Sequence, residues 1–499
     1  MMVLRPCWRK RRSLFSLVII VFITCLGSAL FQLPPLGSPD LTVASHLDDH
    51  LELITTQVAS PHRKPFAWNS GERYLAYLPH SGFHNQRIAL ENALVLARIL
   101  NRTLLVPPAR LGNDVISYHK FDALHQLLIH SGKQGMMDHC SRVAASRIAP
   151  PAECWGYYTH VSWDWLVDLS TIAAEQPLFH HETFTYPWLE NPPRDDDTLR
   201  VRDQTAYDFR FVDYTPTQDK QTGGHPRYLI RYPISTLAAS SAQLIQLGTL
   251  FGSARLHLTE GENLAARTAI RSRMGFANAH LRTASMAAVS ALGGRDAFLA
   301  AHVRLSDGPF RALAEQTVRS VWYRLVACTL HQANASAESS DIHELERLLV
   351  PTHAVQAPPR ELLVDSMPQA ALPVPLGGVI KCEGKPHEKP ELLALNVPLF
   401  VATDADDDGL ALAPLRAAFP CIVLLRDLAD IPEVRMLNGL VSAEDGVALG
   451  PFLAPLLSAA IAARGWGVVG TEGSTFSAYI EDLLWRREHG HQIVERGYS

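Results

Sequence analysis

A chain of 499 residues that is 47% hydrophobic and 19% charged carries enough apolar material for a large core, which excludes wholesale disorder, and is long enough for more than one domain. Its formal net charge of −5, from 45 basic and 50 acidic residues, excludes a globally basic nucleic-acid binder. With 7 cysteines, it is not a disulfide-dense scaffold.

The basic residues are unevenly placed. Arg5, Arg9, Lys10, Arg11 and Arg12 give a tail of charge +5 over residues 1–12, and residues 13–33 are 21 consecutive uncharged positions. A hydrocarbon core about 30 Å thick needs about 20 helical residues, so this run is long enough to span it. The positive-inside rule keeps the basic tail cytoplasmic and sends the rest of the chain into the lumen. Leu26-Gly-Ser-Ala29 offers small residues for cleavage as a signal peptide, but secretory apolar regions are shorter, about 7–15 residues. The expectation is a retained anchor: a single-pass type II protein of the Golgi or endoplasmic reticulum membrane. Residues 34–499 then hold 40 basic and 50 acidic residues, near −10.

Residues 34–70, with Pro34, Pro35, Pro39, Pro61 and Pro65, read as a stem. Tyr74 to Leu78 reads as a strand, followed by a Gly-containing turn and a helix of about 15 residues ending near Leu100, with Leu90, Ala93, Leu94 and Ala97 on one face. Thr103–Val106 is the next strand, stopped by Pro107 and Pro108. The same alternation recurs later, with strands over 298–303, Leu399–Thr403, 422–425 and Gly467–Gly470. Helices are expected over about 409–418, 447–464 and 476–487. Such alternation implies an α/β fold with parallel sheets: two Rossmann-like domains, 71–295 and 296–490, facing a cleft. The Pro-rich stretch 334–398 reads as a flexible insertion.

In an oxidising lumen Cys140–Cys154 is a plausible local bridge and Cys328–Cys382 a longer one, although sequence does not fix connectivity. Cys421, in an apolar run, reads as a buried thiol. Asn101 and Asn334 are glycosylation acceptors.

Ligands of open α/β sheets bind outside the carboxyl ends of the strands, so the loops there are the candidate site. In Pro79-His-Ser-Gly-Phe-His-Asn-Gln-Arg87, Gly82 permits a tight turn and a helix start follows, a place that favours anions. A Gly turn opening a helix is the plain structural alternative. His302 and Arg304 share one side of a strand; Arg304 suits a diphosphate, Asp307 suits a sugar hydroxyl, and an internal ion pair is the alternative. Asp404, Asp406, Asp408 and Gly409 imitate the start of a calcium loop, but Leu415 stands where a bidentate Glu is required. Asp404 and Asp406 instead suit a metal–nucleotide carboxylate pair, or an acidic helix cap; a ligand role is favoured for Thr403 and Asp404. Gly473, Ser474 and Thr475 form either a phosphate cradle or an ordinary cap. Of 22 histidines, His80, His84 and His302 fall in these loops.

At these loops the chain resembles the GDP-fucose protein O-fucosyltransferase superfamily, including its plant-type and fungal branches. The resemblance rests on Ser81-Gly-Phe-His-Asn-Gln-Arg87 with the following helix and strand, and on Leu247-Gly-Thr-Leu-Phe-Gly252. It also rests on His302-Val-Arg304 with Asp307, on Thr403-Asp404, and on Ser474-Thr-Phe-Ser477. It covers about 72–110 and 298–487. The resemblance implies a GT-B fold and inverting transfer of fucose from GDP-fucose to a hydroxyl of a protein or glycan acceptor, without an obligatory metal. It implies that Arg304 stabilises the departing diphosphate and that Asn85 lies beside the reacting centre. Gly82, Phe83, Arg87, His302, Asp307, Thr403, Asp404, Ser474, Thr475 and Phe476 would contact substrate. Ser81 stands where one branch carries a carboxylate proposed as base, which leaves the base unassigned; His84 or His80 is the candidate, since imidazole titrates near neutrality. A metal-dependent GT-A-type transferase using Asp404 and Asp406, and a non-catalytic lumenal glycan-binding protein, are the competing readings.

Overall fold

Short apolar strands alternate with helices along most of the chain, and the strands assemble chiefly into parallel sheets. The computed structural model describes residues 56–58, 66–112, 116–130, 158–181, 185–215, 227–306, 308–333, 380, 382–405 and 411–494. The expected anchor, Asp307, Asp406, Asp408, Gly409, Cys140, Cys154 and Asn334 lie outside these residues. Among the described residues, no helix is long and apolar enough to cross a membrane.

The first sheet has five parallel strands in the order Leu178–His180, Thr103–Val106, Tyr74–Ala76, Leu244–Leu247, Thr198–Val201. The second has four, Ile422–Leu424, Leu399–Thr403, Leu299–Val303 and Gly467–Gly470, also parallel. Both are buried on two faces. In the second sheet Ala300 and Phe400 enter the larger core, while Leu299, Ala301, Val303, Leu399 and Val401 enter another on the opposite face. This is the period-2 alternation of a strand covered on both sides. His302 shares the parity of Ala300 and so belongs to the larger core's face. That core also takes residues of the first sheet, such as Leu75 and Ile245, together with the helices Ala279–Ala291 and Gly450–Ala462. The described residues all lie in one compact unit, Leu53–Ser499.

The helix Phe83–Leu100 starts from an extended Gly82 and stops at Asn101, which adopts φ 49°, ψ 57° and returns its amide to the carbonyls of Ala97 and Arg98. Asparagine tolerates that left-handed end better than most residues, and Asn101 is exposed there. The other elements differ from expectation mainly at their ends, the helices being Ala413–Ala418 and Gly450–Ala462. The segment expected as one helix over 476–487 is helical throughout, but Ile480–Trp485 forms a π turn inside it. A third parallel sheet, Leu256–His257, Phe209–Val212 and Ile230–Pro233, has no counterpart in the sequence reading.

Three expectations need correction. Cys382 bonds to Cys421, not to Cys328, and Cys328 is a buried free thiol. The reason is local: the amide of Gly384 donates to Pro420 O at 3.0 Å, which lays 382–384 beside the entry to the strand Ile422–Leu424, whereas Cys328 sits on the helix Ala314–Ala333. The end of the expected insertion is also packed, because Leu392, Leu395 and Val397 bury against the second sheet. Lastly, the described part of the expected stem belongs to the folded body. Thr56–Val58 pairs in parallel with Leu440–Ser442, and Phe66 and Trp68 join an aromatic cluster with Tyr74, Phe179 and Trp188.

Candidate functional site

The end of Leu299–Val303 and the segment that follows Gly467–Gly470 come together at the start of the helix Phe83–Leu100 through His302, Thr475 and Phe476, so residues nearly four hundred positions apart in sequence become neighbours. Thr475 Oγ1 donates to Asn85 Oδ1 at 3.3 Å. The His84 ring stacks on Phe476, with centroids 4.0 Å apart and planes inclined by 24°. Phe476 presents its edge to His302 at 4.7 Å. Phe83 stacks on Trp163 at 5.3 Å. The sequence-selected His84, Asn85, His302, Thr475 and Phe476 are therefore brought together.

The strand ends are locked by side chains that sequence reading missed. His302 Nδ1 is 2.7 Å from Ser477 Oγ, which accepts from the Thr471 amide at 2.9 Å. Thr471 Oγ1 donates to His302 O and accepts the Arg304 amide. Glu481, on the π turn, accepts the Gly470 amide at 2.7 Å and pairs with Arg324, which also donates to Gly470 O. Gly470 has no substitute here, because an added Cβ would lie 2.4 Å from Ser477 Cβ.

Arg304 is half-buried and its Nε lies 4.0 Å from Asp404 Oδ2. Its guanidinium sits 5.3 Å from the Phe310 ring centroid. Asp404 acts as a clamp on the loop after Arg304: Oδ1 accepts the amides of Leu305 and Ser306, and Oδ2 accepts the Ser306 hydroxyl. Asp404, expected as a nucleotide ligand, thus also holds the loop that carries Arg304, and Thr403 Oγ1 accepts the Ala405 amide. Among the described residues no group of three or more His, Cys, Asp or Glu could hold a metal.

Two more of the expected site residues have structural partners. Ser474 caps its helix, its hydroxyl accepting the Ser477 amide, and is buried, the capping alternative of the sequence reading. Arg87 is 2% exposed; it donates to Glu91 Oε2 at 2.8 Å and lies 4.5 Å over the Tyr479 ring. Glu91 Oε1 receives Arg271 at 3.0 Å, so Arg87 belongs to a buried ion-paired cluster at the helix start. Gly82 keeps open space at its Cα.

Both histidines proposed as base lie in buried surroundings that lower their basicity. His84 is buried among Phe83, Phe476 and Tyr479. Burial, then Arg87, His302 and Arg304, holds it well below the usual imidazole range, and its Nδ1 has no hydrogen-bond partner. His80 is 2.7 Å from Ser81 Oγ through Nδ1 and 2.6 Å from Thr249 Oγ1 through Nε2. Burial, then Arg255, lowers it to about 4. His302 is also lowered by burial to about 4, against the opposing pull of Asp404. Weakly basic imidazoles of this kind are neutral packing and hydrogen-bonding groups near pH 7.

With this geometry in place, the chain is similar to O-fucosyltransferases. A 38-residue stretch is 58% identical to O-fucosyltransferase 30 of Arabidopsis thaliana, covering 8% of this chain and 8% of that relative. Crystal structures of POFUT1 in complex with GDP and with GDP-fucose align with 85% of this chain and 96–97% of theirs, at 12% identity and a TM-score of 0.34. No protein-family profile matches the chain.

Proposed function

We propose that this protein is an inverting fucosyltransferase of GT-B type, in which 71–295 and 296–490 act as two Rossmann-like domains and GDP-fucose binds where they meet. In this reading residues 13–33 anchor it as a type II protein of the Golgi or endoplasmic reticulum membrane with a lumenal body. The acceptor is a hydroxyl of a protein or glycan. The observation that carries the reading is the half-buried Arg304, placed at a strand's carboxyl end and near enough to His84 for its charge to act on that ring. That is where an α/β sheet receives ligands, and a guanidinium there suits a diphosphate. The short match to a plant O-fucosyltransferase supports the fucosyl chemistry.

In the transfer, the bond between fucose C1 and the diphosphate oxygen breaks with its electron pair leaving on that oxygen, a bond from C1 to the acceptor oxygen forms, and the acceptor hydroxyl's proton passes to the departing diphosphate or to solvent. Arg304 neutralises the charge that grows on the diphosphate, and the Asp404 clamp on Leu305 and Ser306 keeps its backbone from moving as it does so. Removal of one such electrostatic stabiliser costs about 10²–10³ in kcat. Asn85 and Thr475 fix the two halves against each other across the reacting centre.

The test is a donor panel on the full chain in detergent, comparing GDP-fucose with other GDP- and UDP-sugars. Release of GDP from GDP-fucose, abolished in Arg304→Ala while the variant stays folded, supports the proposal. Preference for a UDP-sugar refutes the donor assignment, and near-normal turnover by Arg304→Ala refutes the role of the arginine.

A further inference from the structure

The segment Leu247–Gly252 and the residues before the first long helix form a buried polar chain that the transfer reaction above does not use. His80, Thr249 and Asp203 lie just past the carboxyl ends of three adjacent strands of the first sheet, Tyr74–Ala76, Leu244–Leu247 and Thr198–Val201. They are only 4%, 3% and 2% exposed. Ser81, at the outer end of the chain, is half-buried with φ 64°. Its amide donates to Ile116 O, and its carbonyl accepts from Gln86 Nε2 at 2.9 Å. Gly248 is required beside this chain, because an added Cβ would lie 2.3 Å from Asp203 Oδ1.

The hydrogens can be placed by elimination. Thr249 Oγ1 accepts the Phe251 amide at 3.1 Å, and the Thr249 amide donates to Asp203 Oδ2 at 2.8 Å. Asp203 Oδ1 has no hydrogen-bond partner, so the Thr249 hydroxyl does not reach that oxygen. The acceptor left for its hydrogen among the described residues is His80 Nε2, at 2.6 Å. Were Nε2 protonated instead, a buried hydroxyl hydrogen would be stranded, which is costly. His80 therefore carries its proton on Nδ1 and donates to Ser81 Oγ at 2.7 Å. Low basicity of the buried ring is consistent with a single ring proton. The Ser81 hydroxyl already accepts, so its own hydrogen is left for a ligand.

We infer that Ser81 is a hydrogen-bond donor to an oxygen of the bound nucleotide sugar, set in that sense by the tautomer that Thr249 imposes on His80. This rests on the nucleotide-sugar reading above. It assigns Ser81 the opposite polarity from a proton acceptor: with Nδ1 protonated, Ser81 has nowhere to pass a proton. Ser81 would be a substrate-binding residue, and His80 and Thr249 positioning residues behind it. The partner oxygen belongs either to the diphosphate or to the sugar, and both present the same lone-pair chemistry.

Two measurements on the full chain in detergent test this. In ¹⁵N-histidine-labelled protein, the signal lost in His80→Gln should be that of a neutral ring protonated at Nδ1; an Nε2-protonated ring overturns the inference whether or not the donor reading survives. Equilibrium binding of GDP-fucose, alone or together with that of GDP, should weaken about tenfold in both Ser81→Ala and Ser81→Gly, the magnitude of one hydrogen bond to a charged or strongly polar group. The glycine also relieves the left-handed backbone and so controls for misfolding. An equal loss for both ligands places the oxygen on the diphosphate, and a loss confined to GDP-fucose places it on the sugar. Unchanged binding of both overturns the inference. Thr249→Val should reproduce part of the loss and mix the tautomers, while Thr249→Ser restores both readouts; a merely structural Thr249 would move stability without moving the tautomer. If the wild-type chain binds neither ligand, the donor reading fails and takes the ligand assignment with it, while the ¹⁵N result still decides the tautomer.

Discussion

Glu91→Gln is the most informative single perturbation of the site's support. Glu91 receives Arg87 at 2.8 Å and Arg271 at 3.0 Å, and all three side chains are at most 8% exposed. Burial pushes the Glu91 carboxyl up, yet Arg271, Arg87 and Arg267 together hold it below its ordinary value, so it is charged near neutral pH. Glutamine keeps the shape, but it replaces one acceptor oxygen with a donor facing a guanidinium and removes the carboxylate charge that Arg87 and Arg271 share. Breaking a buried ion pair from one side costs about 3–5 kcal/mol. Arg87 also lies over Tyr479, which packs against His84, so GDP binding should weaken along with the fold. Urea unfolding of the full chain in detergent, read by intrinsic fluorescence, measures the first effect and equilibrium binding the second. A loss below about 1 kcal/mol, the range of an exposed pair, would refute the claim that this hub holds the helix start in place.

Three further expectations follow from described contacts. His84→Phe preserves the aromatic stack on Phe476 and removes the imidazole, so turnover should stay within a few-fold of wild type; a collapse of kcat with unchanged stability would restore the general-base role. Cys382→Ala opens a loop of 39 residues, and a closure of that length is worth about 4 kcal/mol in the chain-entropy account; thermal unfolding should show a clear loss, and Cys328→Ala should not depend on reductant. His302 is neutral in the fold down to about pH 4, against an ordinary 6.5. Its folded value is depressed, so the stability it supports is complete above about pH 6.5 and is lost as the pH falls toward 4, by about 3 kcal/mol in all. His302→Gln should flatten the pH dependence of unfolding in that window, and an unchanged slope would contradict the burial argument.

The alternation of short apolar runs with helical periodicity made the parallel strands legible, because strands buried on both faces are written as near-continuous Val, Leu and Ala. Their carboxyl ends then marked the loops worth inspecting. What escaped was long-range. No local pattern relates Glu91 to Arg271, or His84 to Phe476, and Ser477, Thr471 and Glu481 look like ordinary loop and helix residues until the strand ends are folded against them. Asp404 reads as a ligand from its place after a strand and its likeness to a Thr-Asp motif, but its acceptance of the Leu305 and Ser306 amides spans nearly a hundred residues and leaves no local trace. The cysteine pairing failed for a similar reason: backbone register at Gly384 and Pro420, and not spacing, decides which sulfurs meet. The third parallel sheet was missed because its strands are two to four residues long and carry polar residues throughout.

The short strand Thr56–Val58 has a mechanical consequence. It is hydrogen-bonded to Leu440–Ser442, in the later half of the chain, while Phe66 and Trp68, a few residues on, are wedged beside Tyr74 and Trp188 in the earlier half. The segment is thus a strap fastened at both ends, one end zipped and the other plugged. Eight backbone steps separate Val58 from Phe66, and a chain extends at most about 3.6 Å per step, so the strap sets an upper limit on how far its two fastening points can separate. Wider separation requires the three-residue zip to peel or the aromatic plug to withdraw. Tension arriving from the residues that precede Thr56 would act first on the zip.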